Sequence, residues 1–145
     1  ADLPALKKAG INLAIGTDGP ASNNALDMFR EMYLAAVLPK LKYEDAAVMD
    51  AADVLKMATT GGALAMGLPV KEGQFADLIL IDLQRPNMQP VHNLVKNLVY
   101  SGSKENVKMT MVNGMVLYEN GEFFVGESPS EIYAKANEVT KRITQ

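Results

Sequence analysis

The chain has 145 residues, with 17 acidic and 14 basic side chains, a formal net charge of −3, one histidine and no cysteine. Absence of cysteine excludes disulfides and thiolate metal sites, and the interspersed charges form no basic stripe that could neutralise a phosphate backbone, which argues against a nucleic-acid partner. Apolar residues make up 48% of the chain, but no run approaches the ~20 residues of a membrane helix, and the first residues have neither the basic start nor the apolar stretch of a secretion signal. The expectation is a soluble, cytoplasmic globular domain.

Residues 3–9 read as the last turns of a helix stopped by Gly10, which can adopt the left-handed conformation that closes a helix. The apolar run Ile11-Asn12-Leu13-Ala14-Ile15 then reads as a buried strand, the αβ half of an α/β repeat. At its tip stands Gly16-Thr17-Asp18-Gly19. In parallel α/β architectures the loops leaving strand tips gather ligands and catalytic groups, so Asp18 is the principal candidate for chemistry. With one histidine and no cysteine to assist it, Asp18 is either structural, capping N–H groups of the glycine-rich turn, or its partners lie outside these residues.

Past Gly19-Pro20, Asn24 is the expected N-cap of a helix over about 25–38, with Asp27 favouring its first turn and Pro39 ending it. Ser22 and Asn23, with Asn24, read as helix-start chemistry rather than substrate contacts. A further helix is predicted after Asp50, running through Leu55 and Met57 toward Thr60 and interrupted by Gly61-Gly62, with a short helical turn resuming to Gly67. Beyond Gly67 the period becomes strand-like. Residues 76–83 are expected to form a buried strand. Val107–Val112 and Met115–Tyr118 flank Asn113-Gly114, the strongest short hairpin signal, and Asn120-Gly121 repeats the device before Phe123-Phe124. Ser128, Pro129 and Glu131 spell the capping box of a terminal helix. Asp77 is expected to secure a turn, and His92 to be structural. The nine methionines suit gap-filling in a core.

The order strand, Gly-Thr-Asp-Gly-Pro-Ala-Ser-Asn-Asn (16–24), helix resembles the last barrel strand of the amidohydrolase superfamily. It is most similar to the branch of methylthioadenosine/S-adenosylhomocysteine deaminases and chlorohydrolases. The resemblance continues through Met57-Ala58-Thr59-Thr60-Gly61-Gly62-Ala63, Ala76-Asp77-Leu78-Ile79-Leu80-Ile81-Asp82, Asn97-Leu98-Val99-Tyr100 and Val112-Asn113-Gly114. It implies an α/β chain that is the C-terminal fragment of a metal-dependent (β/α)8 barrel, plus part of a small β-sandwich and a C-terminal helix. The implied divisions are 1–67 for the barrel, 68–126 for the sandwich portion and 127–145 for the helix.

The implied activity of the whole enzyme is hydrolytic deamination of an adenine-type nucleoside, methylthioadenosine or S-adenosylhomocysteine. One divalent metal, zinc, iron or another, would serve it, with Asp18 as metal ligand and as the group that takes a proton from the metal-bound water. The alternatives are a chlorohydrolase or other amidohydrolase of the branch, or a non-catalytic assembly piece. A full barrel takes about 250 residues and the family's upstream His-x-His pair is absent. The isolated chain is therefore expected to be inactive and metal-free, and to associate with itself or with the missing N-terminal part. Residues 68–75 are shorter than the family's usual segment there.

Overall fold

The computed structural model describes residues 1–68 and 70–144. It divides into two compact units, one formed by Ala1–Gln74 with Leu83–Asn106 and the other by Phe75–Asp82 with Val107–Gln145. This differs from the division expected at 67/68, because residues 83–106 join the first unit. The reason is packing: that stretch supplies two fully buried apolar side chains, Met88 and Val99, to a helical core.

The first unit opens with α1 (Leu3–Lys8), capped by the Asp2 carboxylate, which accepts from Ala5 N–H at 3.2 Å, and carrying Pro4 in its first turn. Gly10 follows at φ 76°, the left-handed stop expected of it. The long helix α2 spans Met28–Tyr43. Its N-cap is Asp27 rather than Asn24, since Asp27 is extended and its Oδ1 accepts from Phe29 and Arg30 N–H at 3.0 and 3.3 Å. Pro39 does not end it either. A proline costs a helix one N–H donor and a clash at one carbonyl, and here the buried ring of Pro39 is carried within the helix, which stops only at Glu44 (φ 51°).

Asp50 caps α3 (Ala51–Lys56), accepting from Ala52 N–H at 2.6 Å. The interruption expected at Gly61-Gly62 is a π-helical turn and not a break: α3 passes through Met57–Gly61 directly into α4 (Gly62–Ala65), both glycines keeping right-handed helical angles. The link between α2 and α3 is pinned by Lys40, whose Nζ donates to the carbonyls of Ala46, Val48 and Met49 at 2.9, 2.5 and 3.1 Å. Helix α5 spans Leu94–Tyr100.

Helices α2, α3 and α5 contact one another pairwise. Phe29, Met32 and Ala36 recur along one face of α2, and with Val54 of α3, Val99 of α5 and Met88 they form the buried core. Each large side chain so enclosed contributes about 1.5–3 kcal/mol relative to leaving it exposed. One polar side chain is buried with them. Asn106 accepts at Oδ1 from Asn87 Nδ2 (2.8 Å) and Ser103 N–H (2.9 Å), while Asn97 Nδ2 donates to Met88 O at 2.8 Å. Satisfying these groups removes the penalty of burying them.

The second unit is one antiparallel sheet in the order β1-β2-β3-β4, with β1 Leu78–Ile81, β2 Val107–Val112, β3 Met115–Glu119 and β4 Glu122–Phe123. Both expected turns are present. Asn113-Gly114 and Asn120-Gly121 all have positive φ, as two-residue turns of this kind require. Asp77 secures the first, its Oδ1 accepting from Asn113 N–H at 2.6 Å, and Gly114 N–H donates to Ala76 O at 3.0 Å.

The strand expected at 76–83 is shorter and is not buried: Leu78, Ile79 and Leu80 are 43–50% exposed. It lies at the sheet edge and pairs only with β2, and among the described residues this unit supplies no second sheet to cover it. Helix α6 (Pro129–Ile143) carries the expected capping box, with Ser128 and Glu131 bonding reciprocally, and buries no residue.

Candidate functional site

The stretch 11–16 forms no β-ladder, so the buried strand expected there is corrected. A strand needs a neighbour, and among the described residues this unit supplies none beside it; Ile11 is half exposed. What holds the segment is the π-turn. Ile15 N–H donates to Met57 O at 3.2 Å, and Asn12 Nδ2 donates to Gly61 O at 3.0 Å. Gly61 lies so close to the segment that a Cβ added to it would collide with Leu13 O.

The segment delivers Asp18 into a tight turn. Asp18 has φ 58°, a region that asparagine and aspartate tolerate better than other side chains do. Its carboxylate closes the turn on itself: Gly19 N–H donates to Oδ1 and Ser22 Oγ to Oδ2, each at 2.7 Å. Ser22 and Asn23 N–H both return to Gly19 O, at 3.1 and 2.9 Å. The Ser22 hydroxyl, then the Gly19 N–H, hold the Asp18 carboxyl below its ordinary pKa, because donors to the charged form favour it. Asp18 is thus an exposed anion at neutral pH, its carboxylate oriented by these two donors.

Of the other residues singled out in the loop, Ser22 braces Asp18. Asn23 bridges to α2 through Nδ2 to Glu31 Oε1 at 2.7 Å, and also accepts from Ala25 N–H at 3.3 Å. His92 stands exposed in the segment before α5. Among the described residues no three His, Cys, Asp or Glu side chains are grouped to hold a metal ion. One carboxylate offers two oxygens where catalytic zinc takes three protein ligands, so the donors in this chain do not by themselves fit a metal. Sequence reasoning passed over Asn12. Its signal was a polar residue inside an otherwise apolar run, a position that must find a hydrogen-bond partner if enclosed.

Beside the Asp18 segment runs an open groove of ≈ 530 Å³, lined by Ala14, Ile15 and Gly16 on one side and by Leu34, Leu38 and Pro39 of α2 on the other.

Helices and strands in this order, with a carboxylate following residues 11–16, define an α/β chain, and comparison with known proteins specifies its kind. The model of the amidohydrolase family matches residues 1–117, and the chain belongs to that family. A 5-methylthioadenosine/S-adenosylhomocysteine deaminase from Archaeoglobus fulgidus is 46% identical over 143 residues, covering 97% of this chain and 34% of the relative. One from Haloquadratum walsbyi is 49% identical over 125 residues, covering 84% and 28%.

Among solved structures, an adenosine deaminase from Xanthomonas campestris with bound zinc superposes with a TM-score of 0.93 at 37% identity, over 99% of this chain and 34% of that one. An atrazine chlorohydrolase from Arthrobacter aurescens complexed with zinc gives 0.85 at 28% identity, over 95% and 32%. The chain spans about a third of the length of these relatives.

Proposed function

We propose that this chain is the C-terminal part of a metal-dependent aminohydrolase that deaminates an adenine-type nucleoside, methylthioadenosine or S-adenosylhomocysteine. The observation that carries the reading is the 46% identity to a deaminase of that name across almost all of this chain. The chlorohydrolase likeness is weaker, at 28%, which favours amine over chloride as the leaving group. In this reading residues 1–67 belong to the last part of a (β/α)8 barrel, the sheet of β1 to β4 to a β-sandwich and 127–145 to a terminal helix.

Asp18 is the reactive carboxylate in this reading. Its oxygens accept a proton from the attacking water and return it to the departing amine, general base and then general acid. A lowered pKa makes it a dependable anion and a weak base, a combination suited to a group that is also one donor to a divalent metal. The zinc of the two solved relatives supports zinc as that metal, with its remaining donors supplied from outside this chain. Ser22 and Gly19 hold the carboxylate in one orientation, so the proton is handled at a fixed place.

The test is Asp18→Asn in the longer protein that contains this chain. Asparagine tolerates the left-handed φ and still accepts from Gly19 N–H, so the turn survives. Deamination of methylthioadenosine, followed by ammonia release, is expected to fall by about a hundredfold or more. Retention of activity would return Asp18 to a purely turn-capping role.

A further inference from the structure

The π-turn Met57–Gly61 interrupts an otherwise α-helical run from Ala51 to Ala65. Such insertions are rare and recur at functional sites. This one has a visible use. Its first and last residues, Met57 and Gly61, are the two whose carbonyls accept from the Asp18 segment, one through the backbone of Ile15 and the other through the side chain of Asn12.

Between those anchors, the missing side chain of Gly61 lets the helix approach Leu13 O more closely than any other residue could. Gly61 has φ −66°, so nothing in its backbone angles demands glycine; only the close approach does. The segment has no ladder to fix it, and these three contacts bracket residues 12–15, immediately before the turn that holds Asp18.

We propose that Asn12 and Gly61 are positioning residues for Asp18, and that the π-turn is the clamp through which they set where its carboxylate stands. The inference rests on the reading of Asp18 as the reactive carboxylate. An alanine Cβ at Gly61 meets backbone at Leu13, which cannot rotate out of its way as a side chain could, so the segment must shift. A misplacement of about 1 Å at a reacting group costs about a hundredfold in rate.

Four variants of the longer protein test this: Gly61→Ala, Asn12→Ala, Asp18→Asn, and Gly61→Ala combined with Asp18→Asn. For Gly61→Ala, kcat for methylthioadenosine is expected to fall about a hundredfold with KM little changed. For Asn12→Ala, the loss of one hydrogen bond is expected to lower kcat about five- to tenfold. The double variant is expected to be no slower than Asp18→Asn alone, since a displaced carboxylate matters only while it reacts.

Activity surviving Asp18→Asn would sink the underlying reading. Loss in Asp18→Asn with unchanged kcat in a folded Gly61→Ala, or additive losses in the double variant, would overturn the clamp while leaving that reading intact. If Gly61→Ala does not fold, Asn12→Ala decides: it removes one hydrogen bond and adds no clash, and an unchanged kcat there overturns the proposal.

Discussion

Asp2 shows how much one exposed carboxylate can be asked to hold. It caps α1, accepts from Lys42 Nζ at 2.6 Å and from Tyr43 OH at 2.7 Å, and so ties α1 to the end of α2. The Lys42 ammonium first, and the Tyr43 hydroxyl second, lower its pKa from 3.8 to about 2. A depressed carboxylate contributes stability that is fully present above its unfolded pKa and lost as pH falls through the folded one. Acidification from about 4 to about 2 is therefore expected to release Tyr43, seen as a change in tyrosine fluorescence within that window, and Asp2→Asn should abolish the transition. At this scale the sequence was informative where a residue's role is local. Asp18 and Asp77 both stand where their turns required an acceptor, whereas the partner of Asn12 lies 49 positions away and no local pattern announces it.

Among the elements, those specified by neighbours in sequence were legible. The Ser128 capping box and the two Asn-Gly turns depend on residues within four positions of one another. The C-terminal end of α2 departs from the expectation because tertiary context outweighs propensity: Pro39 is enclosed within the helix, and packing offsets what the missing donor costs. Glycines misled in a different way, since their usual meaning is a turn. Gly61 serves a close approach, and so does Gly102, just past α5, where a Cβ would stand 2.5 Å from Leu98 O and 2.7 Å from Cδ1 of Phe29. Gly102→Ala is accordingly expected to push α5 off α2 and destabilise the chain by about 1–3 kcal/mol, the range for forcing volume into a packed core; a midpoint unchanged in chemical denaturation would show that the junction yields.

For the molecule as a whole, membership of the amidohydrolase family could be read from five short segments in order, which the structure places on the Asp18 turn, the π-turn, β1, α5 and the Asn113-Gly114 turn. The expected burial of 11–15 and 76–83 is not met, since an apolar run reports a face suited to burial and not which residues cover it. The outcome is surface: β1 keeps an edge without a further strand among the described residues, and Ile11 and Leu78–Leu80 are about half exposed. Unpaired edges and apolar patches favour association. Sedimentation of the purified chain at micromolar concentration is expected to show self-association, or a complex when the remainder of the longer protein is supplied. A monomer in both mixtures would count against that expectation.

The interleaving of the two units bears on the order in which they can form. A ribosome delivers β1 before residues 83–106, yet its partner β2 begins only at Val107. The Leu-Ile-Leu-Ile strand cannot pair until the residues from Val107 have followed it, and the stretch that separates the two belongs to the other unit. Non-local pairings of this kind slow folding and leave strand edges open to intermolecular capture. The hazard attached to β1 is thus one of timing during synthesis, and it ends when the Asn113-Gly114 hairpin arrives and Asp77 closes on it.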